Sequence, residues 1–307
     1  MKSGVLRAVL VSTLVLLGLL GSSADSGAAG PLAPGLSKAE HTALVRAGAF
    51  GAHPVRLLLL GDSITLTLGI GLSSQSRTDY GVTISNHASL GCDLDPDLSI
   101  MTLGVVGPAT QGCYHWQGLW PYLTAAVHPN VVVLGVGRWE VSDHLFDGAW
   151  VHIGEPVWDD HVESDLRQAI AIFTLFGAKV VLFTMPLIDP VTRQADGQPF
   201  AENTPQRTEA YNRLVYQVAR ADSGSVSVID LNRLLNPKGV YTPTVDGVNT
   251  RMVDGVHVTI AGGEFLRQSI LPVIDRVGLA AEKAARLKAA AKAARLKAGR
   301  HRSKTGS

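Results

Sequence analysis

Apolar residues along this chain fall into short dense runs, separated by longer stretches of mixed polarity. Five runs predict strands: residues 55–60, broken only by Arg56 and ending at Gly61, then 82–85, 131–137, 179–184 and 226–231. The first, third and fourth are apolar almost throughout, the pattern of strands covered on both faces of a parallel sheet. The second and fifth alternate with Thr and Ser, which puts them nearer the sheet edges. Helical stretches at 115–127, 159–176 and 205–221 precede the third, fourth and fifth runs, and a last helix is expected over 261–277. Strands alternating with helices predict right-handed crossovers and an α/β fold, a three-layer doubly wound sheet of about five parallel strands. In such sheets chemistry gathers just beyond the carboxyl ends of the strands.

The two ends of the chain read differently. Lys2 and Arg7 precede an apolar run over 8–20, and Ser22-Ser23-Ala24 follows as a small-residue cleavage site, so 1–24 is expected to be a signal peptide. The uncharged stretch is short for a spanning helix, which needs about 20 residues; an uncleaved anchor is the alternative. Residues 25–50 read as a Gly/Ala/Ser/Pro linker followed by a short helix, opened by the capping-box pattern Ser37-Lys38-Ala39-Glu40. The sheet and its helices then occupy 51–280. Residues 281–307 carry nine Lys or Arg and one Glu, a net +8 on a chain whose total is +1, which leaves −7 on the rest. The unit Lys-Ala-Ala-Arg-Leu-Lys-Ala occurs there twice, at 283–289 and 292–298. These are strong helix formers without an apolar stripe. A basic tail of this kind suits an electrostatic tether to an anionic envelope polymer. The whole reads as a secreted or cell-envelope protein, expected to be monomeric, with no specific nucleic-acid partner. Export makes the cysteines informative: Cys92 and Cys113 are the only two, and an oxidising compartment favours a bridge over two buried thiols.

Candidate chemistry lies at the predicted strand ends. Gly61-Asp62-Ser63-Ile64 follows the first strand, where a serine on a tight strand-to-helix turn can be presented as a nucleophile. Asp and Ser also cap helices without any catalytic role, so the tetrapeptide alone decides little. Asp254-Gly255-Val256-His257, just before the last helix, supplies what a serine needs. An imidazole takes the hydroxyl proton, and a carboxylate fixes the tautomer and stabilises the charged ring. The nearby Asp246-Gly247-Val248-Asn249 repeats the pattern with Asn in place of the base. Such chemistry requires no cofactor.

Gly-Asp-Ser after the first strand, with Asp-x-x-His before the terminal helix, resembles the SGNH (GDSL-type) hydrolase superfamily. The resemblance implies a flavodoxin-like three-layer fold, with Ser63, Asp254 and His257 as the catalytic residues. It also implies an oxyanion hole built from the amides of Ser63 and of Gly91, in Ser89-Leu90-Gly91-Cys92 after the second strand. Where the superfamily usually has Gly-x-Asn-Asp, this chain has Gly137-Arg138-Trp139-Glu140. The Asn donor is missing, and the Trp139 indole or the Arg138 guanidinium stands as its replacement. Gly-Arg-Trp-Glu, with a preceding Gly-Cys and a later Cys, is similar to the extracytoplasmic SGNH domains joined to integral-membrane acyltransferases that modify envelope carbohydrate. The multi-helix membrane part of those proteins is not found in these 307 residues, so a transferase role is expected to draw on a separate acyl donor or partner.

Two other clusters invite interpretation. His144, His152 and His161 lie among Asp143, Asp147, Asp159 and Asp160, but their spacings fit no common ligand motif, and no metal is expected. Trp116 and Trp120, four apart on a helix, suit core packing; with Trp139, Trp150 and Trp158 they could instead form a sugar-stacking wall. Two functions follow. One is a serine esterase or acyltransferase acting on O-acyl esters, expected to be O-acetyl, of envelope carbohydrate or on a small ester. The other is a non-catalytic envelope-binding protein with a degenerate site and a basic tether.

Overall fold

The computed structural model describes residues 54–304, with side chains to 296. The expected signal peptide at 1–24, the linker and short helix at 25–50, and the last three residues lie outside the described residues. Among the described residues no helix is long and apolar enough to cross a membrane.

Strand β1 (Val55–Gly61) leads into helix α1 (Ser63–Ser73) and the short α2 (Ser76–Tyr80), then β2 (Val82–Asn86). A hairpin follows, β3 (Ser99–Thr102) and β4 (Val105–Pro108), and then α3 (Trp116–Val127) and β5 (Val131–Gly135). A second hairpin, β6 (Asp143–Phe146) and β7 (Ala149–Val151), precedes α4 (Pro156–Leu175) and β8 (Lys179–Phe183). Then come α5 (Pro205–Ala221), β9 (Val226–Ile229), α6 (Leu231–Leu235), the small hairpin β10 (Thr244–Val245) and β11 (Val248–Asn249), and α7 (Ile260–Lys304).

The main sheet has the order β2-β1-β5-β8-β9, with every pairing parallel. These are the five predicted strands, and the two that alternate with Thr and Ser are the edges. Residues of β1 and β5 are buried with the sole exception of Arg56. In order of sheet strands this is 2-1-3-4-5, the flavodoxin-like doubly wound arrangement. The chain moves one way from β1 to β2 and the other way from β2 through β5, β8 and β9. With right-handed crossovers, α1 therefore lies on one face and α3, α4 and α5 on the other. Helix α7 packs along α1. Gly71 and Gly263 make that approach possible: a Cβ on Gly71 would lie 2.6 Å from the Cα of Gly263.

Two features depart from the sequence expectation. The last helix does not stop at 277. Gly278 serves close packing rather than termination, since a Cβ there would meet Val55 Cγ1 at 2.3 Å, and the Ala/Lys/Arg/Leu composition carries the helix on to Lys304. Ala281 is still buried, and the exposed stretch begins at Lys283. The second departure is an antiparallel sheet of order β4-β3-β6-β7 beside the main one. Its hairpins turn at Leu103-Gly104 and Asp147-Gly148, with all four residues at positive φ, the conformation that two-residue hairpin turns demand.

Candidate active site

The reversal in strand order falls between β1 and β5, and a crevice at such a switch point is where doubly wound sheets carry their sites. Gly61, at the end of β1, approaches β5 so closely that a Cβ would lie 2.0 Å from Gly135 O. Asp62 N donates to that same carbonyl at 3.0 Å, and Thr65 Oγ1 donates to it at 2.7 Å. The turn before α1 is thus locked to the neighbouring strand.

Asp62 is the N-cap of α1. Its Oδ1 accepts from Ile64 N (3.0 Å) and Thr65 N (3.2 Å), and its Oδ2 accepts from Arg138 N at 3.2 Å. The carboxyl is buried, and that burial pushes it up to about 6 in spite of the three amide donors. A helix leaves its first amides without intrahelical partners. Asp62 takes those of Ile64 and Thr65 but not that of Ser63, the first residue of the helix. Ser63 itself is buried, 6% exposed, at the amide-rich end of α1.

The loop after β2 is pinned to the same turn, because Ser89 N donates to Gly61 O at 2.8 Å. Gly91 follows with φ +65, and its carbonyl accepts from Gly112 N at 2.8 Å. Cys92 and Cys113 are joined in a disulfide with Cα atoms 4.5 Å apart. The expected bridge is therefore present, and it closes the loop that starts beside Gly91.

His257 sits on a turn whose shape requires glycine. Gly255 has φ +74, and a Cβ there would lie 1.9 Å from Asp189 O. Asp254 Oδ1 accepts from Val256 N (2.8 Å) and His257 N (3.0 Å), while Oδ2 meets His257 Nδ1 at 2.7 Å. Burial raises the Asp254 carboxyl, but the ring hydrogen bond and the two amides outweigh it and hold the group below its ordinary value. The opposite ring nitrogen, Nε2, is shielded from solvent and has no hydrogen-bond partner. With Nδ1 held by Asp254, Nε2 is the ring nitrogen left open, and no hydrogen bond joins it to Ser63 Oγ in this structure. Val258 N donates to Thr67 Oγ1 at 3.3 Å, and Thr67 Oγ1 donates in turn to Ser63 O at 3.1 Å. This connects the histidine turn to the first turn of α1.

Gly137-Arg138-Trp139-Glu140, the third block of candidate site residues after those at Ser63 and Gly91, follows β5. Gly137 has φ +134 and lies against Tyr211, and its amide donates to Glu140 Oε2 at 2.7 Å. Glu140 is fully buried, and burial together with the nearby Asp93 holds its carboxyl well above the ordinary value. Arg138 is buried, which lowers its pKa against the pull of Glu202, Asp62 and Glu140. Its guanidinium lies 5.1 Å from the Trp139 ring centroid. Arg138 Nη1 and Trp139 Nε1 are both shielded donors without partners. Buried donors are nearly always satisfied. These two, with His257 Nε2, belong to a small set of open buried polar atoms that also includes those of Thr110, Ser142 and Asn203.

Several positioning residues were not singled out in the sequence. Arg251 is almost wholly buried and donates to Val256 O (3.0 Å) and Leu187 O (2.7 Å), tying the histidine turn to the segment after β8. Thr67 and Glu140 act likewise on α1 and on the Gly137 turn. Nothing in the sequence pattern marks an arginine or a threonine for such a role, because the partners are backbone carbonyls and amides distant in the chain. The tryptophan wall is not formed: Trp116, Trp120 and Trp158 are core residues, 0–2% exposed. The Asp246-Gly247 repeat is the turn of the β10–β11 hairpin.

A family model described as an SGNH domain (fused to AT3 domains) matches residues 33–272. No curated protein matches the chain. Among solved structures, TesA is similar at 19% identity, over 72% of this chain and 99% of that one, with a TM-score of 0.46. A GDSL-like lipase from Bacteroides thetaiotaomicron is similar at 15% identity, over 78% of this chain and 98% of that one, with a TM-score of 0.46. An acetyl xylan esterase, AlAXEase, is similar at 17% identity, over 71% of this chain and 99% of that one, with a TM-score of 0.44. With the family model spanning the sheet, the turn at Ser63 and the histidine turn, the chain belongs to the SGNH-domain family of the kind found fused to AT3 domains.

Proposed function

We propose that this protein is an exported serine esterase or acyltransferase that acts on O-acyl esters of envelope carbohydrate through an acyl-enzyme on Ser63. The observation that carries the reading is the state of His257: Nδ1 held by Asp254 at 2.7 Å, Nε2 shielded and unspent. Ser63 Oγ attacks the ester carbonyl carbon while His257 Nε2 takes its proton. The tetrahedral oxyanion is held by the amides of Ser63 and Gly91 and by one donor of the third block, Trp139 Nε1 or Arg138 Nη1. Collapse breaks the ester bond, and the departing alkoxide leaves as the alcohol with the proton from His257. Water, activated by the same nitrogen, then releases a carboxylic acid; a sugar hydroxyl in its place gives a transferred ester.

An oxyanion donor is worth about 2.7–4 kcal/mol of transition-state stabilisation, so replacing the usual Asn without compensation would leave a feeble enzyme. The unpartnered Arg138 and Trp139 nitrogens favour compensation, and with it catalysis over a decayed, purely binding role. The exposed basic stretch from Lys283 supports a second contact, with anionic envelope polymer. The test is the product profile with an O-acetylated glycan, with and without a competing sugar acceptor. Free acetate alone identifies an esterase and acetylated acceptor identifies a transferase; neither product, from folded protein, defeats the proposal.

A further inference from the structure

Helix α7 connects the two ends of the domain. It starts at Ile260, three residues after His257, and runs as one helix to Lys304. Val258, just before it, is bonded to Thr67, one turn along α1 from Ser63. Farther on, Gly278 packs against Val55, where an added Cβ would lie 2.3 Å from Cγ1. Val55 is the first residue of β1, and Ser63 lies just beyond the last. Helix α7 therefore crosses from the Ser63 end of the sheet to the opposite end and leaves the domain there.

Past Ala281 the helix stands clear as a basic rod. Residues 283–296 are exposed and hold five Lys or Arg with no acid. Among the described residues, only Arg286 of these five pairs with a carboxylate, Glu282 at 3.6 Å. Lys288 and Lys292, four apart, repel each other. The domain has the opposite sign: residues 54–280 hold 14 Lys or Arg and 23 Asp or Glu, a net −9. We infer that the two poles serve different molecules: the basic rod holds an extended anionic polymer, while the site at Ser63 draws its acyl ester from an uncharged glycan. The substrate half of this rests on Ser63 as the acyl-transfer residue, as proposed above.

Distance and charge both separate the two roles. At a rise of about 1.5 Å per residue, Lys283 stands about 35 Å from the start of α7 and Lys304 about 65 Å. Charge is screened over about 8 Å at physiological ionic strength, so polymer on the rod is not felt at Ser63. A polyanion that bends back meets a domain of its own sign; an uncharged chain meets no such repulsion. Lys283 and Lys292 lie nine apart, on opposite sides of the helix, which suits a polymer running along the rod rather than a single anionic group.

Two measurements on the full chain test the inference. In the first, Val253→Cys beside Asp254 and Leu296→Cys on the rod, positions 96% and 61% exposed, carry spin labels while the native disulfide stays intact. Dipolar spectroscopy should give about 50–60 Å, unchanged on adding soluble polygalacturonate. A distance below about 30 Å with the polymer bound would bring rod and polymer back over the site and overturn the inference, whether or not the protein is an esterase. In the second, O-acetylated polygalacturonate and O-acetylated glucomannan are offered to the wild type and to a chain with Lys283→Gln, Arg286→Gln, Lys288→Gln, Lys292→Gln and Arg295→Gln together. The wild type should bind polygalacturonate more tightly than the variant yet deacetylate it no faster, and both should deacetylate the uncharged glucomannan at the same, higher rate. Faster deacetylation of polygalacturonate than of glucomannan, or equal binding of polygalacturonate by the two chains, would overturn the inference. No turnover of any ester, a small aryl ester included, would instead defeat the reading of Ser63.

Discussion

Val258 N donates to Thr67 Oγ1 across 191 positions of sequence, and this one bond ties the turn of His257 to the helix of Ser63. It is a positioning contact: Val258 adjoins His257, and Thr67 lies one turn along α1 from Ser63, the two residues paired in the proposed mechanism. Thr67→Val keeps the shape and removes the acceptor. A displacement of about 1 Å can cost up to about 100-fold in rate. The variant should therefore lose between about 10- and 100-fold in kcat on a short-chain aryl ester, with KM nearly unchanged. Thr67→Ser, which restores the oxygen, should recover most of the loss. Equal kcat for the wild type and the valine variant would show that the tie is dispensable.

The third block offers two candidate donors, and they can be separated. Trp139→Phe removes an N–H from a ring that keeps its place, and Arg138→Met removes a charge from a chain of similar length. If one of them holds the oxyanion, its loss should lower kcat by about 10²–10³-fold while the other variant changes far less. A few-fold effect from both would mean that the hole rests on backbone amides alone.

The disulfide has an energetic and a positional consequence. It closes a loop of sequence separation 21, for which the chain-entropy model gives about 3 kcal/mol. Paired Cys92→Ser and Cys113→Ser substitutions should lower unfolding stability by that order in denaturant titration. Because Cys92 adjoins Gly91, kcat on the aryl ester should fall as well, even well below the new Tm. Undiminished stability would remove the bridge from the account.

The central strands were legible in the sequence because a parallel sheet buries both faces, which leaves unbroken apolar runs such as Val131–Gly135. The edge strands were legible for the complementary reason. The antiparallel sheet was not foreseen: β3 and β4 are four residues each, too short for alternation to stand out, though Asp147-Gly148 is a hairpin turn pair. Ser63, Asp254 and His257 could be singled out because Gly-Asp-Ser after the first strand and Asp-x-x-His before the last helix are local motifs. Arg251 could not, since it takes its meaning from Leu187, 64 positions away in the chain.

The basic stretch separates anchoring from catalysis. Residues 283–296 are exposed along the continuation of α7, so a chain ending at Glu282 keeps the buried Ala281. That chain should turn over a small soluble ester at the full rate. It should also lose retention on anionic envelope polymer. For the intact protein, retention should weaken steeply with salt, as screening shortens from about 8 Å at physiological ionic strength to about 3 Å at 1 M. Equal retention of both forms at low salt would contradict the tether.

The central claim is that Ser63 is the nucleophile, activated by His257 under the orientation of Asp254. The most direct measurement is covalent capture by a serine-directed phosphonate, read by intact mass and peptide mapping. One adduct per chain is expected, on the peptide that contains Ser63. Labelling should vanish in Ser63→Ala and slow by about 10³–10⁴-fold in Asp254→Asn, where the imidazole loses its orienting carboxylate. An adduct on any other serine, or ester turnover that survives Ser63→Ala undiminished, would contradict the account.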